Sequence, residues 1–307
     1  MSFSVTILGS SSAKPTASRH QSGQVVNINE QLFLVDGGEA VQKQMFRYGI
    51  NPLKLRAIFV SHLHADHVYG VFPLLSTMSL YGRKSAIKIY APAPFGAMLE
   101  SYLTFFGGDM AYAVEWIEVD TSKHQIIFEN RTLEVWSVPL RHRLPTSGYI
   151  FREKEPPLNV DKFKITKYGL SIAQITAAKR GEDVELESGE TLINSELTYR
   201  PYAPRSYAYI SDTAYCPPAA AMCKGVDLLY HESTFAAIDS KIAKDRGHST
   251  SHQAAKTAAA AEAKRLIIGH FSSRYKDLEQ LRTEAQIIFP ETELAIEGEE
   301  FKIGKEQ

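Results

Sequence analysis

The chain has 307 residues, of which 44% are hydrophobic and 22% charged, proportions typical of a globular protein with one large domain or two ordinary ones. No apolar run approaches the roughly 18 residues of a membrane helix, and the first residues lack the basic segment of a signal peptide. A net charge of −1 excludes nucleic-acid binding by bulk attraction, so such contacts must use local patches. Cys216 and Cys223 fall outside CxxC spacing and predict free thiols, which favours a cytoplasmic protein without a membrane partner.

Strands and turns are predicted to dominate the beginning of the chain. Strands are expected at residues 5–8, 25–28, 32–35 and 56–60. A hairpin connection is expected at Asn29-Glu30, and a helix over residues 39–48, where apolar residues recur on one side. The strand at 56–60 leads directly into the densest group of polar donors in the sequence.

That group is Ser61-His62-Leu63-His64-Ala65-Asp66-His67, with three histidines and one carboxylate. His62 and His64 are two residues apart, so a helix would splay them by about 200° around its axis. A loop leaving a strand lets the two rings converge. Asp66 and His67 are adjacent and diverge, so they fit a second ion better than they complete the first.

Helices and strands alternate through most of the remaining chain. Helices are predicted at 68–81, 98–106, 251–263 and 277–289, and strands at 86–90, 133–138, 207–210, 226–230, 265–268 and 293–296. Pro73 must lie in the first turns of its helix, since a proline further in would break it. Ser249 or Thr250 is the expected N-cap of the alanine-rich helix.

The pattern loosens between residues 152 and 205, where charge is segregated. Residues 152–180 carry seven basic side chains against three acidic ones, and residues 182–196 carry six acids and no base. We interpret this segment as an inserted arm. On composition alone, a solvated loop with scattered charge is the alternative.

Metal-capable side chains recur where apolar strands end. His62, His142, Asp212 and His270 each follow a predicted strand by two to four residues. Strand ends on one edge of a sheet can gather such residues into one cleft. His20 and His124 lack this context and are interpreted as surface histidines.

These donors can fill two metal sites. The first would take His62, His64 and His142, the second would take Asp66, His67 and His270, and Asp212 would bridge them. Nitrogen and carboxylate ligands without cysteine favour zinc, with manganese or iron as alternatives. Two ions roughly 3.5–4 Å apart activate a water for ester hydrolysis. A leaving alkoxide also needs a proton, so at least one of His231, Glu232, His248 and His252 is expected to act beside the metals.

The histidine-rich stretch resembles the HxHxDH signature of the metallo-β-lactamase superfamily, and nearly the whole chain resembles the short form of the ribonuclease Z family. The matching segments are residues 8–11, Pro15-Thr16 with Arg19, Asp36-Gly37-Gly38-Glu39 with Gln42, 71–83, 139–142, Ser211-Asp212-Thr213, His231-Glu232-Ser233-Thr234, Gly247-His248-Ser249-Thr250 and 269–275 (GHFSSRY). The last three segments are far more specific than HxHxDH alone.

The resemblance implies an α+β fold, a four-layer αβ/βα sandwich formed by a single domain of residues 1–307, with a flexible arm inserted at about 152–203. It implies two Zn²⁺ per subunit, or Mn²⁺, held by the ligands above with Asp212 bridging. Asp66 would orient or deprotonate the attacking water, and His248, supported by Glu232, would contact the scissile phosphate and protonate the leaving oxygen. Asp36 would be a buried carboxylate that orients metal-site histidines.

The implied reaction is hydrolysis of a tRNA precursor after the discriminator nucleotide, which removes the 3′ trailer and leaves a 3′-hydroxyl. Family members are usually homodimers, and the arm of one subunit grips the tRNA bound at the other's active site. The arm residues expected to contact phosphates are Lys162, Lys164, Lys167, Lys179 and Arg180, which predicts salt-sensitive binding.

Two departures from the family pattern leave alternatives open. The usual DCGEGTQ reads Asp36-Gly37-Gly38-Glu39-Ala40-Val41-Gln42, and the Gly-Pro element of many arms is replaced by residues 168–175. A small-molecule phosphodiesterase or lactonase of the same superfamily is the second enzyme hypothesis, although a small substrate needs no basic arm. An RNA-binding scaffold without activity is the third.

Overall fold

The computed structural model describes residues 2–304, and its contacts divide the chain into two compact units. The core unit comprises Met1–Phe128, Val135–Phe151 and Arg205–Gln307, and the arm unit comprises Glu129–Glu134 and Arg152–Pro204. The longer segment of the arm unit covers the residues predicted as an insertion. That it is an insertion into one domain remains a proposal.

Seven strands form the first sheet, in the order β18-β1-β2-β3-β4-β5-β6. They are β1 (Phe3–Gly9), β2 (Gly23–Ile28), β3 (Gln31–Gly37), β4 (Leu55–Phe59), β5 (Ile87–Ala91), β6 (Val114–Glu118) and β18 (Glu300–Lys302). The pairs from β18 to β3 are antiparallel, and those from β3 to β6 are parallel. The hairpin between β2 and β3 turns at Asn29 and Glu30, whose φ angles of 51° and 65° suit a tight turn.

The second sheet also has seven strands, in the order β17-β16-β15-β14-β9-β8-β7. They are β7 (Ile126–Glu129), β8 (Leu133–Pro139), β9 (Ser147–Glu153), β14 (Ser206–Ile210), β15 (Leu228–Glu232), β16 (Arg265–Gly269) and β17 (Thr292–Leu294). Strands β14 to β17 run parallel. Parallel strands have their carboxyl ends at one edge, which is where the predicted donors follow them.

The two sheets pack face to face through aromatic side chains. The ring centroids of Phe33 and Phe151 lie 5.8 Å apart, and those of Phe59 and Tyr149 lie 5.4 Å apart. The hydroxyl of Tyr149 donates to the Val60 carbonyl at 2.6 Å, so the interior contact also fixes the chain just before the histidine cluster.

Helices cover the outer faces of both sheets and complete the four layers of the predicted α+β sandwich. On the first sheet lie α1 (Val41–Arg47), α2 (Ala65–Val68), α3 (Val71–Leu80) and α4 (Phe95–Phe106). The other helices of the core unit are α8 (Pro217–Met222), α9 (Ser240–Arg246), α10 (Ser251–Ala260) and α11 (Glu279–Gln286), with α10 and α11 against the second sheet. None of the helices in residues 2–304 is long and apolar enough to cross a membrane.

Local chemistry explains where these helices begin. Thr250 caps α10 by accepting from the Gln253 amide at 3.3 Å, while the Gln253 side chain accepts from the Thr250 amide at 3.0 Å, which confirms one of the two expected caps. Pro73 lies in the first turn of α3, as predicted. The helix predicted over 68–81 is instead divided, because Gly70 lies against β3: a Cβ there would be 1.9 Å from the Gly38 carbonyl oxygen.

The arm unit consists of short elements around a small core of its own. They are β10 (Asn159–Val160), α5 (Lys162–Tyr168), α6 (Ile172–Lys179), β11 (Val184–Glu185), β12 (Thr191–Leu192), α7 (Asn194–Leu197) and β13 (Thr198–Tyr199). Val160, Leu170, Ala178, Val184, Leu192 and Leu197 form its buried cluster. An ion pair joins Glu155 to Arg200, so the two ends of the longer segment of the arm unit lie close together.

Candidate metal centre and active site

The donors meet because several strands end at the same edge. β4 ends at Phe59, just before the histidine cluster. β14 ends two residues before Asp212, and β16 ends one residue before His270. Glu232 is the last residue of β15 and pairs in register with Gly269. Residues up to 208 positions apart in the sequence (62 to 270) are thereby brought into one cluster.

The first donor set consists of His62, His64, His142 and Asp212. His64 Nδ1 lies 2.9 Å from His62 Nε2 and 3.3 Å from His142 Nε2. Asp212 Oδ2 lies 3.6 Å from His62 Nε2 and 3.8 Å from His142 Nε2. Three ring nitrogens and one carboxylate oxygen therefore converge on one point.

The second donor set consists of Asp66, His67 and His270, with Asp212 again adjacent. His67 Nε2 and His270 Nε2 are 3.2 Å apart, and each is 3.5 Å from Asp66 Oδ2. Asp212 Oδ1 is 3.4 Å from His67 Nε2 and 3.2 Å from His270 Nε2. Asp212 thus turns one oxygen to each set.

These spacings fit divalent metal ions. Tetrahedral coordination with Zn–N bonds of about 2.0–2.1 Å places neighbouring donor atoms roughly 3.4 Å apart, and the separations in both sets lie close to that value. Asp212 Oδ1 is also buried without a hydrogen-bond partner among the residues that the structure describes. A buried carboxylate oxygen left in this way is costly unless a cation satisfies it.

Hydrogen bonds on the far side of each ring aim its free nitrogen at the cluster. His142 Nδ1 donates to the Gly247 carbonyl at 2.7 Å, and His67 Nδ1 lies 2.7 Å from Asp36 Oδ2. His270 Nδ1 lies 2.9 Å from Thr234 Oγ1. Such partners fix the tautomer and orientation of metal-binding histidines.

The electrostatics suit a cation. Burial lowers the pKa of His62, His64 and His142, which leaves these rings neutral and able to act as ligands. Burial also opposes charge on His67, but the carboxylates of Asp212, Asp66 and Asp36 raise its pKa to about 10. The negative charge that holds a proton on His67 would equally attract a divalent ion, which then competes with that proton.

Glu232 and His248 form an ion pair beside the two sets. His248 Nδ1 lies 3.0 Å from Glu232 Oε1, and the side chain of His248 remains 14% exposed. Burial opposes the charge of both groups, but their mutual attraction lowers the pKa of Glu232 to about 2 and raises that of His248 to about 9. His248 is therefore a protonated imidazole at the open side of the cluster.

Asp66 is held in its ionised form. Burial favours the neutral acid, but His67 and His270 keep the pKa of Asp66 below its ordinary value. Its Oδ2 also accepts from the Ala13 amide at 2.7 Å. Asp66 is thus placed both as a donor in the second set and as an acceptor for a proton nearby.

The other histidines lie outside the two donor sets. His231 is buried and neutral, since burial lowers its pKa, and its Nδ1 bonds to the Glu232 carbonyl at 2.7 Å. His20 is not a simple surface residue, because Glu297 binds its Nδ1 at 2.8 Å. His124 Nδ1 donates to the Ser137 carbonyl at 2.6 Å.

Three residues at the site were missed by the sequence analysis: Ser61, Tyr209 and Thr234. Each places a hydroxyl against an acidic or histidine side chain of the cluster. Ser61 and Thr234 lie within the Ser61–His67 and His231–Thr234 motifs, so their position offered a signal, although neither was assigned a role. Tyr209 is an apolar-looking strand residue, and no sequence pattern separates it from its neighbour Tyr207.

The candidate phosphate-binding residues of the arm differ in what they already contact. Arg180 pairs with Glu182 at 2.7 Å, and Lys164 donates to the Glu196 carbonyl. Lys167 Nζ lies 4.8 Å from the centre of the Tyr168 ring. Lys162 and Lys179 are exposed and make no ion pair with another described residue. These two and Lys167 are the charges freest to meet a phosphate.

Similarity to known proteins agrees with this geometry. Residues 147–271 match the model of a Beta-lactamase superfamily domain, and residues 3–104 match that of the anti-Pycsar protein Apyc1. A protein named Ribonuclease Z from Parabacteroides distasonis is 40% identical over 296 residues, which cover 96% of this chain and 97% of that protein.

Two crystal structures show the fold. Human tRNase Z, short form, has a TM-score of 0.72 at 24% identity, covering 98% of this chain and 100% of the human one. The metallo-β-lactamase fold protein YhfI from Bacillus subtilis has a TM-score of 0.69 at 20% identity, covering 98% of this chain and 100% of that chain. The predicted metallo-β-lactamase-like sandwich is confirmed.

Proposed function

This chain belongs to the ribonuclease Z family, and from that premise we propose that it is a zinc-dependent endoribonuclease that removes the 3′ trailer from tRNA precursors. Hydrolysis after the discriminator nucleotide would leave a 3′-hydroxyl on the tRNA. The observation that carries the proposal is the pair of donor sets that share Asp212, with the Glu232–His248 ion pair beside them.

The metal ligands follow from the geometry. His62, His64, His142 and Asp212 Oδ2 would hold one ion, and Asp66, His67, His270 and Asp212 Oδ1 the other. The absence of cysteine and the near-tetrahedral spacing favour Zn²⁺, with Mn²⁺ as the alternative. Two such ions supply an activated water and neutralise charge on the phosphate.

The protein's own groups then handle the protons. Asp66, held ionised and fixed by the Ala13 amide, orients the attacking water and accepts its proton. As the bond from the water oxygen to phosphorus forms and the bond from phosphorus to the 3′ oxygen breaks, His248 gives its proton to that leaving oxygen. Glu232 keeps His248 charged until then, which supports the catalytic roles of all three residues.

The arm is proposed to bind tRNA phosphates through charge. Lys162, Lys167 and Lys179 are the main contacts, with Lys164 and Arg180 secondary because other groups already engage them. Charge contacts of this kind position a nucleic acid without reading its sequence.

We further propose a homodimer formed through the outer face of α3 and α4. These 22 helical residues carry one charge, Glu100, although the face is open. Phe72, Pro73, Met98, Tyr102, Phe105 and Phe106 line a groove of about 550 Å³ there. Leu80, Phe105 and Phe106 are 86%, 80% and 65% exposed, and Phe46, Tyr69 and Tyr81 extend the face.

A second copy of this chain is the occupant whose size fits. At about 150–250 Å² for a large apolar side chain, the exposed fractions of Leu80, Phe105, Phe106, Phe46, Tyr69 and Tyr81 amount to roughly 600–1,000 Å², a range that includes the about 800 Å² per partner of a standard interface. Phe105→Asp should convert a dimer to a monomer in light scattering after gel filtration. Ile238→Asp, at an 87% exposed position outside the face, is the control. An unchanged mass for Phe105→Asp would contradict this interface.

The cytoplasm is the proposed compartment, since the proposed substrates, tRNA precursors, are found there. Cys216 and Cys223 are buried and form no disulfide, which suits a reducing environment.

The decisive experiment is cleavage of a tRNA precursor with a 3′ trailer by protein loaded with Zn²⁺ or Mn²⁺. One cut after the discriminator nucleotide with a 3′-hydroxyl is expected, and His64→Ala should lose both metal and cleavage. His124→Ala, a histidine bonded to the Ser137 carbonyl outside the cluster, should keep both. If bis(p-nitrophenyl) phosphate is hydrolysed but no precursor is cut, the protein is a small-molecule phosphodiesterase instead.

A further inference from the structure

One buried carboxylate, that of Asp36, is bonded to a member of the second donor set and to the residue that precedes a member of the first. It is fully buried and receives four hydrogen bonds, from the Ser61 amide at 2.7 Å, Ser61 Oγ at 2.8 Å, His67 Nδ1 at 2.7 Å and the Tyr209 hydroxyl at 2.7 Å. His67 belongs to the second set, and Ser61 adjoins His62 of the first.

The proton positions in this network follow from its chemistry. The carboxylate oxygen accepts from Ser61, Tyr209 and His67, so the proton between His67 and Asp36 lies on Nδ1, and Nε2 is the nitrogen that faces the second set. Ser61 has one proton and gives it to Asp36, so its oxygen must accept from its other neighbours. These are His62 Nδ1 at 3.0 Å and Ser211 Oγ at 2.9 Å. His62 Nδ1 is therefore also protonated, which frees its Nε2 for the first set.

The hydroxyl of Ser61 is thus fully used, with one donated and two accepted hydrogen bonds. It links His62 to Asp36, and Ser211 ties it to the residue just before the bridging Asp212. Tyr209 donates to the same Asp36 oxygen as Ser61 and His67 and also bonds to the Ser211 side chain, so it supports the link between the two sets.

The backbone conformation of Asp36 indicates that its surroundings hold it in place. Asp36 has a φ of 56°, in the left-handed region. A non-glycine residue is strained in that region and persists where its surroundings over-determine it. Four hydrogen bonds to one side chain are such surroundings.

We propose that Ser61 is a positioning residue that couples the two metal sites through Asp36, so that ordering one site by metal favours binding at the other, and that Tyr209 supports this link by holding Asp36. This rests on the proposed two-metal function. The inference concerns the protein's own hydrogen bonds, so metal binding without RNA can test it.

The test is titration of metal-free full-length protein with Co²⁺, followed by the visible absorption of the ion. Three histidines with one carboxylate and two histidines with two carboxylates give different spectra, so the two sites can be followed separately. Zn²⁺ affinity is measured in parallel by competition with a chromophoric chelator.

Removing the Ser61 hydroxyl should affect both sites. Ser61→Ala should weaken both by about 10–100-fold, the usual range for a residue that supports a ligand, and should abolish cooperativity between them. Ser61→Thr keeps the hydroxyl and should restore both. Ser147→Ala removes a buried hydroxyl that, among the described residues, bonds only to backbone groups, namely the Val138 amide and the carbonyls of Val138 and Gly148, and it should change neither site.

The two tyrosines of β14 give a matched pair. Tyr209→Phe should weaken both sites by up to about 10-fold, less than Ser61→Ala, because Ser61 still joins Asp36 to His62. Tyr207→Phe also removes a fully buried hydroxyl, but one bonded to Gln24, and should leave both sites unchanged. Equal effects of the two variants would overturn the role of Tyr209.

Weakening of the first site alone by Ser61→Ala would overturn the coupling. If Ser61→Ala does not fold, cooperative binding in the unmodified protein and the tyrosine pair still decide the question. Coupled metal binding without precursor cleavage would refute the proposed function and leave this inference standing.

Discussion

The core unit and the arm unit differ in where they place backbone strain. Among the described residues, the core unit has seven non-glycine residues with positive φ, whereas in the arm unit only glycines take such angles. The core positions are Ala13, Asn29, Glu30, Asp36, Ala40, Glu262 and His270, and the arm positions are Gly169, Gly181 and Gly189.

Three of the strained residues hold the candidate site directly. The Ala13 amide binds Asp66, Asp36 binds His67, and His270 belongs to the second donor set. Backbone strain of this kind persists where packing and hydrogen bonds stabilise a conformation that is unfavourable for the isolated chain. The core unit fixes atoms in place, while the arm unit presents charge from a relaxed backbone.

On the proposed function, the core unit carries out catalysis and the arm unit binds the substrate. The largest expected effect comes from a catalytic residue of the core unit. His248→Ala should lower kcat for a tRNA precursor by about 10²–10⁴, because the leaving 3′ oxygen loses its acid. KM should change little, since the arm is intact. Hydrolysis of bis(p-nitrophenyl) phosphate should fall far less, because p-nitrophenolate leaves without a proton. Parallel losses on both substrates would mean that His248 acts on the metal centre instead.

Replacing the arm should weaken substrate binding and leave the catalytic step unchanged. The Glu155–Arg200 pair brings the ends together, so residues 156–199 can be exchanged for a short Gly-Ser linker. Precursor cleavage should lose about 100-fold in kcat/KM through binding, while hydrolysis of the small ester stays within twofold. Loss of both activities would show that the arm supports the core rather than the substrate.

The sequence predicted the candidate metal-binding side chains better than the residues that hold those side chains in place. The ligands are short polar motifs at strand ends, and strand ends can be read from apolar runs such as 56–60 and 265–268. The bond from Tyr209 to Asp36 joins residues 173 positions apart across the two sheets, and no local pattern encodes it. Strand β18 was missed because only Phe301 of its three residues is buried.

The arm was recognisable for a different reason. Its segregated charge was visible in residues 152–196, but the partners of individual charges were not. Only the structure shows that Arg180 forms an ion pair with Glu182. That distinction allows a smaller and sharper test.

Changing Lys162, Lys167 and Lys179 together to Gln should reduce the dependence of precursor binding on salt. Each phosphate contact contributes about 0.7–0.9 to the slope of log K against log salt, so the slope should fall by about 2. Arg180→Gln, which removes a charge already paired with Glu182, should change it by much less. Binding isotherms from 50 to 200 mM salt measure both. Equal changes per residue would mean that these pairings do not persist in solution.

The smallest effect tests the strain itself. Ala40 precedes α1 with a φ of 64°, where the left-handed backbone costs an alanine roughly 1–2 kcal/mol. Ala40→Gly relieves that cost but adds about 0.4–1 kcal/mol of unfolded-state entropy, so a net gain of about 0.5–1 kcal/mol in unfolding free energy is expected from urea denaturation. The matched change in the arm, Gly169→Ala at a φ of 63° with open space around it, should instead destabilise α5, seen as faster amide exchange there. Because Ala40 contributes no ligand, its variant should keep full activity, and a loss of metal affinity in it would show that the strain is part of how the core positions the site.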